Sequence, residues 1–419
     1  MFRNHRAAWM ACAAFALAIG DAAATPAAFT LKQAFDAAWR RQPEALSQHS
    51  RADAAAAQQE AATRWTAEPV ALEWSTTTDR LNQNLGRDET ALGISVALWL
   101  PGERDRTGAL AQAQARVATS RMQAAQLRTA AQVREAYWAW QRTHVEHGLA
   151  AQQLHYAQLL ALDVNKRVRA GDLARADQHQ ADGVVASAEV TLAEAAGTLA
   201  MAVQQLRALT AIVPHYATVG TTPTAVGIEP VAAIPADASA WETSHPVLAE
   251  LLDSAEAAQR AAELAQVQTR ANPELTLTTS RERGQLGEGY QHSIALGIRI
   301  PLGSDSRNQA KRATALADAT EALAHLRAER DRLQGATAAA RTVLQSAQIR
   351  LDASLRRAQL ARESRTFFQK AFALGEADLP TRLRVEREAM DAERQAARAG
   401  IDLAAAQSAL RQSLGLLPE

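Results

Sequence analysis

From Glu103 to Ala170 the chain carries no proline and only two glycines, Gly108 and Gly148. Without a proline to remove a backbone donor, such a run reads as one continuous helix, and at 1.5 Å per residue it would be roughly 100 Å long. A second run over about 304–374 is comparable. The two runs end at Gly171 and Gly375, the residue type that closes a helix in a left-handed turn. Return helices are expected over about 172–212 and 376–416. Helices this long cannot fold back into a compact domain, so they must pack side by side as a rod or a tube. Apolar residues three and four apart (Val133, Tyr137, Trp140; Leu344, Leu351, Leu355) suit coiled-coil packing. Apolar residues make up 47% of the chain but aromatics only 5%. Much of the difference is alanine, the best helix former and the smallest side chain that still packs closely.

Between the helical runs lie short alternating segments. "ALGISVALWLPG" at 91–102 and "ALGIRIPLG" at 295–303 share the word ALGI, 204 residues apart. Other landmarks recur in the same order near that offset: "RQPEAL" with "SHPVLA", "AEPVALEW" with "ANPELTLT", and "RAGDLARAD" with "ALGEADLPT". Ordered pairs of this kind indicate a duplicated helix–strand–strand–helix unit, with a period far longer than that of a solenoid. The first repeat then covers 25–212 and the second 246–419, joined by an irregular linker at 213–245 that holds four of the thirteen prolines.

Strands are expected at about 70–78 and 90–100, and at about 274–281 and 291–300. One face carries Leu72 and Trp74, then Ile94, Val96 and Leu98, then Leu296, Ile298 and Ile300; the other carries small or polar residues, including Gly93 and Gly297. Two readings fit: hairpins of a soluble sheet, or transmembrane β-strands with these eight residues facing lipid. Trp65, Trp74 and Trp99 then fall near strand ends, where an aromatic belt belongs. Four strands cannot close a barrel of useful bore, and open edges are not tolerated in lipid. Crossing a membrane would require several chains to pool their strands.

The N-terminus has Arg3 and Arg6, an apolar stretch from Ala7 to Gly20, and small residues at 22–24, the pattern of a secretory signal peptide over residues 1–24. The single cysteine, Cys12, lies inside the apolar stretch, without the leucine-rich box and terminal position that lipidation requires. Lys+Arg and Asp+Glu are both 45, leaving no net field to attract nucleic acid. His144 and His147 are three residues apart with no third ligand near, so no metal site is expected, and Trp138 and Trp140 read as packing residues. No nucleophile–base pair, phosphate loop or catalytic carboxylate pair is evident, so neither an enzyme nor a cofactor is expected.

The signal peptide, the duplicated plan, strand ends "LPGERDR" and "IPLGSDSR", and helix tips "RAGDLARAD" and "LGEADLPTRL" together resemble the TolC-type outer membrane efflux proteins. The Pro-Gly-Glu-Arg ending is similar to the heavy-metal, CzcC-like branch. The resemblance covers essentially the whole mature chain and rests on the order and spacing of motifs. It implies a mainly α fold with a small transmembrane β part: a homotrimer whose pooled strands close a 12-stranded barrel in the outer membrane lipid, above a coiled-coil helical tube in the periplasm. The implied partners are a periplasmic adaptor and an inner-membrane transporter of the resistance-nodulation-division type. The implied role is passive export of metal cations or small toxic compounds. A type I protein secretion channel and a periplasmic coiled-coil adaptor are the alternatives.

The resemblance also places function at the helix tips. Adaptor docking falls on Gly171, Leu173 and Ala174 in the first tip and on Gly375 and Leu379 in the second. Asp177 stands where the family often has an aperture aspartate, and Thr381 replaces its counterpart in the second tip. The aperture gate is therefore expected to draw on Asp177 together with a salt-bridge lock among Arg175, Asp378, Arg382 and Arg384.

Overall fold

The computed structural model describes residues 29–82, 84–214, 229–232, 241, 243–302 and 305–419. The expected signal peptide and most of the expected linker lie outside the described residues. Helices α1 (Leu31–Trp39), α2 (Pro43–Leu46) and α3 (Gln48–Thr63) lead into strands β1 (Ala71–Thr78) and β2 (Asp88–Ala97). The long helix α4 (Glu103–Ala170) follows, with its return helix α5 (Arg175–Thr210). The stretch expected as the second repeat contains α6 (Pro246–Val267), β3 (Glu274–Arg283), β4 (Gln291–Arg299), the long helix α7 (Asp305–Ala373) and its return helix α8 (Leu379–Ser413). The 204-residue offset that relates the ALGI words also relates the first residue of α5 to that of α8.

The strands form one antiparallel sheet in the order β1-β2-β3-β4, so β1 and β4 each have an unpaired edge. Register aligns Leu72, Ile94, Leu277 and Leu296 in one cross-strand row, and Trp74, Leu92, Thr279 and Ile294 in the next. These apolar side chains are exposed: Leu72 70%, Trp74 69%, Ile294 78% and Leu296 73%. The small-residue face of β2 is the more covered one, with Gly93, Ser95 and Ala97 buried. The glycines here do more than keep that face slim. A Cβ on Gly93 would lie 3.0 Å from the Thr278 hydroxyl, and one on Gly297 would lie 2.8 Å from that of Thr276.

Two of the expected lipid-facing residues fall outside the strands. Leu98 follows β2 and donates its backbone N–H to Pro273, and Ile300 follows β4. The ladder ends there because the chain turns into the helices. At the β2–α4 junction, Gly102 adopts φ 78 and the buried Glu103 carboxylate accepts from the Leu100 backbone N–H (3.0 Å) and from Gln268 Nε2 (2.8 Å). Trp99 donates its indole N–H to the carbonyl of Arg64, at the end of α3. It is therefore pinned to the helical part, whereas Trp65 is 92% exposed.

Each long helix packs along its length against several shorter ones. In α8 the buried positions Val385, Ala389, Ala392, Ala396, Ala399, Ala406 and Leu410 keep a seven-residue period, which is a coiled-coil seam. Its alanines let the helix axes approach closely. In α7 the buried positions Ala319, Leu326, Leu333, Ala347 and Ser354 do the same. Leu355, expected on this seam, is instead 49% exposed. Its phase belongs to a different face of α7. Register between α4 and α6 is reinforced by ion pairs: Arg106–Glu263 (3.5 Å), Arg116–Glu256 (2.6 Å) and Arg128–Glu250 (2.8 Å).

Midway along the helices α1 closes over α4. Its start is fixed by Thr30, whose hydroxyl accepts from the Gln33 N–H while the Gln33 side chain accepts from the Thr30 N–H, a reciprocal cap. Phe29, Phe35, Tyr137 and Trp140 form the core there, and the Tyr137 hydroxyl donates to the Phe29 carbonyl. Beside this core lies a buried ionic cluster. Glu229, from the segment joining the repeats, meets Arg134 of α4 (2.7 Å) and Arg411 of α8 (3.3 Å), and Ser408 donates to it. Glu229 is 2% exposed and both arginines 4%.

Candidate functional site: the helix tips

At the far end of the helices from the sheet, α4 turns into α5 and α7 into α8. Gly171 (φ 87) and Gly375 (φ 80) take the left-handed conformation, which a side chain would strain. The two turns cap their return helices in opposite ways. In the first, Asp177 sits one turn inside α5 and its Oδ2 accepts from the Ala174 N–H at 3.0 Å. In the second, Asp378 stands at the cap itself and its Oδ1 accepts from the Thr381 N–H at 3.1 Å. Hydrogen bonds from Thr381 hold the Asp378 carboxyl below the usual range. Thr381, at the position of the expected aspartate, is the donor in its turn, and the acid stands three residues upstream. Asp177→Ala removes one cap, so we expect it to lower the stability of the first tip by about 1 kcal/mol, read as faster hydrogen exchange over the start of α5.

Beneath the turns the two hairpins share a small core of Leu160, Ala161, Val164, Ala181, Phe372, Leu379 and Leu383. Leu379, expected as a docking contact, is 2% exposed and is a core residue. Leu173 is half-buried against the same core, while Ala174 is exposed. Leu374, which sequence reasoning passed over, is 75% exposed beside Gly375. It continues a line on α7 with Leu360 (65%) and Phe367 (67%), one residue every seven. That shared seven-residue spacing was the signal available in the sequence.

The expected lock among Arg175, Asp378, Arg382 and Arg384 does not form within one chain. Asp378 is occupied by its own helix, and Arg384 pairs with Glu388 one turn along α8 (2.8 Å). Arg175 is exposed and makes no ion pair among the described residues. Arg382 reaches instead to Asp163 of α4 at 3.4 Å. Asp163 also pairs with Arg167 at 3.6 Å, and the Arg167 and Arg382 guanidiniums each lie 4.7 Å from the Phe372 ring centroid. Burial pulls the Arg382 pKa down, and the Asp163 charge opposes that shift. Further up, Arg142–Asp402 (2.8 Å) and Glu146–Arg398 (2.7 Å) continue the ionic seam between α4 and α8. Between the hairpins runs an open groove of about 830 Å³, lined by Tyr156, Leu160, Asp163, Val184, Arg382 and Leu383 among others. His144 and His147 lie one turn apart on α4, and among the described residues no group of three metal-ligating side chains includes them.

No family model matches the chain, and no curated relative matches it. Solved structures do. The chain is similar to CusC, described in terms of transmembrane channel formation, with TM-score 0.75 and 17% identity over 93% of each chain. It is similar to the outer membrane protein VceC of Vibrio cholerae, with TM-score 0.73 and 18% identity over 93% of this chain and 97% of that one. It is also similar to the open state of the MtrE outer membrane channel of Neisseria gonorrhoeae, with TM-score 0.72 and 16% identity over 92% and 89%. With the four-stranded sheet, the paired long helices and the two glycine-closed tips in place, the chain has the fold of these outer membrane channels.

Proposed function

We propose that three copies of this chain close a 12-stranded barrel in the outer membrane and a helical tube in the periplasm, forming a passive export channel. The observation that carries this is the sheet with two bare edges, β1 and β4, and an exposed apolar face. Such a sheet is unsatisfied both in water and in lipid until another chain supplies β1 to β4. The helices support the same reading. Helix α5 holds a stretch long and apolar enough to cross a membrane by composition, yet only 6% of that stretch is buried within the chain. A neighbouring helix pair of the tube would cover it. A type I secretion channel and a periplasmic adaptor lose ground, since no observation favours the first and an adaptor would need only one helical hairpin. The substrates in this reading are metal cations or small toxic compounds, passed on by a periplasmic adaptor and an inner-membrane pump. The test is extraction from outer membrane fractions as a heat-sensitive trimer, followed by single-channel recording in planar bilayers. A stable, detergent-free soluble monomer would sink the proposal.

The tips, in this reading, are both the closing point and the adaptor's landing place. Closure rests on Asp163–Arg382 and the Phe372 contact rather than on Asp177. Docking rests on the exposed turn residues Gly171, Ala174, Gly375 and Leu374, with Leu173 supporting the turn from beneath. Leu374→Asp places a charge on an exposed apolar spot without touching the tip core. Pump-dependent resistance should fall to the level of a strain lacking the channel, while trimer yield stays the same. Undiminished resistance would remove this tip from docking.

A further inference from the structure

The apolar face of the sheet ends abruptly on the side away from the helices. Beyond the row Trp74–Leu92–Thr279–Ile294, the next row on the same face is Thr76–Thr90–Arg281–His292. After that, Asp88 pairs with Arg283, and Tyr290 stands just before β4. Tyr290 organises the group. The Arg281 guanidinium lies 3.8 Å from its ring centroid and that of Arg283 lies 5.0 Å away. The Tyr290 hydroxyl donates to Asp88 Oδ2 at 3.2 Å, and Arg283 Nε donates to the Gly86 carbonyl at 3.1 Å.

Asp88 belongs to the group itself, through Tyr290; the other nearby acids are engaged elsewhere. Asp79 accepts from the Leu85 N–H (2.8 Å) and Glu288 from the Gln285 N–H (3.1 Å), each within its own hairpin loop. Glu89 and Glu282 project to the opposite face of the sheet, where they face each other in register. Among the described residues neither Arg281 nor Arg283 has a carboxylate ion-pair partner. The apolar face thus carries two planar cations and a histidine at this level against one acid, Asp88, which accepts from the Tyr290 hydroxyl.

Rows on one face are two residues apart, about 6.7 Å along a strand and roughly 5 Å in height once strands tilt. In the barrel proposed above, that row would place Arg281 and His292 where headgroup phosphates begin above the hydrocarbon layer. Arginine held flat on an aromatic ring presents its outer N–H fork, and that fork matches a phosphate bidentately.

Resting on the outer membrane reading above, we propose that Arg281, Arg283 and His292 form a binding site for the phosphate groups of a phosphorylated, multiply acylated glycolipid of the outer leaflet. Its acyl chains would lie against Ile294, Leu296 and Trp74. The site would occur three times around the barrel. It would fix the depth and tilt of the wall by gripping lipid phosphates, where an aromatic girdle alone only prefers the interface.

Delipidated, detergent-solubilised trimer titrated with diphosphoryl lipid A and with its dephosphorylated analogue tests the site, using native mass spectrometry as the readout. The wild type should bind the diphosphoryl form about tenfold more tightly or better. The double variant Arg281→Gln/Arg283→Gln should lose that preference, and Arg281→Lys/Arg283→Lys, which keeps the charges but not the stacked fork, should keep only a minor part of it. Equal binding of both lipids by the wild type, or an undiminished preference in the Gln variant, overturns the site while leaving the channel intact. If the Gln variant fails to assemble, the wild-type preference decides. Excess inorganic phosphate that displaces the lipid completely would show that the acyl contacts contribute nothing and would also overturn it. A chain that never forms an outer membrane trimer overturns the channel reading, and this inference with it.

Discussion

Replacing Glu229 with alanine is expected to cost about 3–5 kcal/mol, because it leaves the buried Arg134 guanidinium without a counter-charge and the buried Arg411 with only the exposed Glu419 carboxylate at 2.9 Å. Arg134 and Arg411 are both 4% exposed, so water cannot take over the role of the lost carboxylate. The effect should appear as a large drop in the temperature at which the proposed trimer dissociates in detergent. The cluster ties the segment between the repeats to both halves, since Arg134 also donates to the Leu416 carbonyl and Arg411 to that of Pro230. The damage should therefore spread, with faster hydrogen exchange near Arg134 and near the C-terminus together. Replacing the three charged residues at once (Glu229→Leu, Arg134→Met, Arg411→Met) removes the uncompensated charge and should recover most of the loss. A single Glu229→Ala variant as heat-resistant as the wild type would show that the cluster does not hold the repeats together.

Arg382→Ala should open the tips. Within one chain it breaks the bridge to Asp163 and removes one of the two cations beside Phe372. A partly exposed pair contributes about 0.5–1 kcal/mol. In the proposed trimer, three copies acting on one aperture bring the total to about 1.5–3 kcal/mol, which shifts the open fraction roughly 10- to 150-fold. Passive single-channel conductance should rise accordingly, and Asp163→Asn should raise it in the same direction. Asp177→Ala serves as the contrast: its carboxylate is committed to the Ala174 N–H, so its conductance should stay at the wild-type level. Raised conductance with Asp177→Ala alone would return the gate to the position expected from sequence.

The architecture was legible where local chemistry decides it. Absence of proline marked α4 and α7, two glycines marked the tips, and strict alternation placed the apolar face on the correct parity. The ALGI offset recurs as the 204-residue offset between the first residues of α5 and α8. What was not legible depends on contacts between distant residues. Asp163 and Arg382 belong to different repeats, and neither has a local pattern that points to the other. Glu229 lies in an irregular stretch that no periodicity describes. Leu379 falls among the docking residues by its place in the second tip motif, yet the neighbouring hairpin covers it. Leu98 and Ile300 continue the alternation but lie past the last ladder bonds. At Thr381 the motif lacks its acid; in the structure Asp378 caps the second return helix, as Asp177 closes the start of the first.

The bare edges of β1 and β4 also bear on the protein before it is assembled. A lone chain in transit exposes two strand edges beside a face of leucine, isoleucine and tryptophan, and each edge accepts any extended segment it meets. Its correct partner is chemically identical to its incorrect ones, because the same edges that close a ring of three also propagate an open ribbon. Productive assembly thus depends on the order of events. The sheet has to reach a bilayer, or be shielded from other chains, before its concentration in water permits pairing without closure. Overproduction should therefore overload delivery before it harms folding, and the surplus should accumulate as strand-linked aggregate with its long helices already formed.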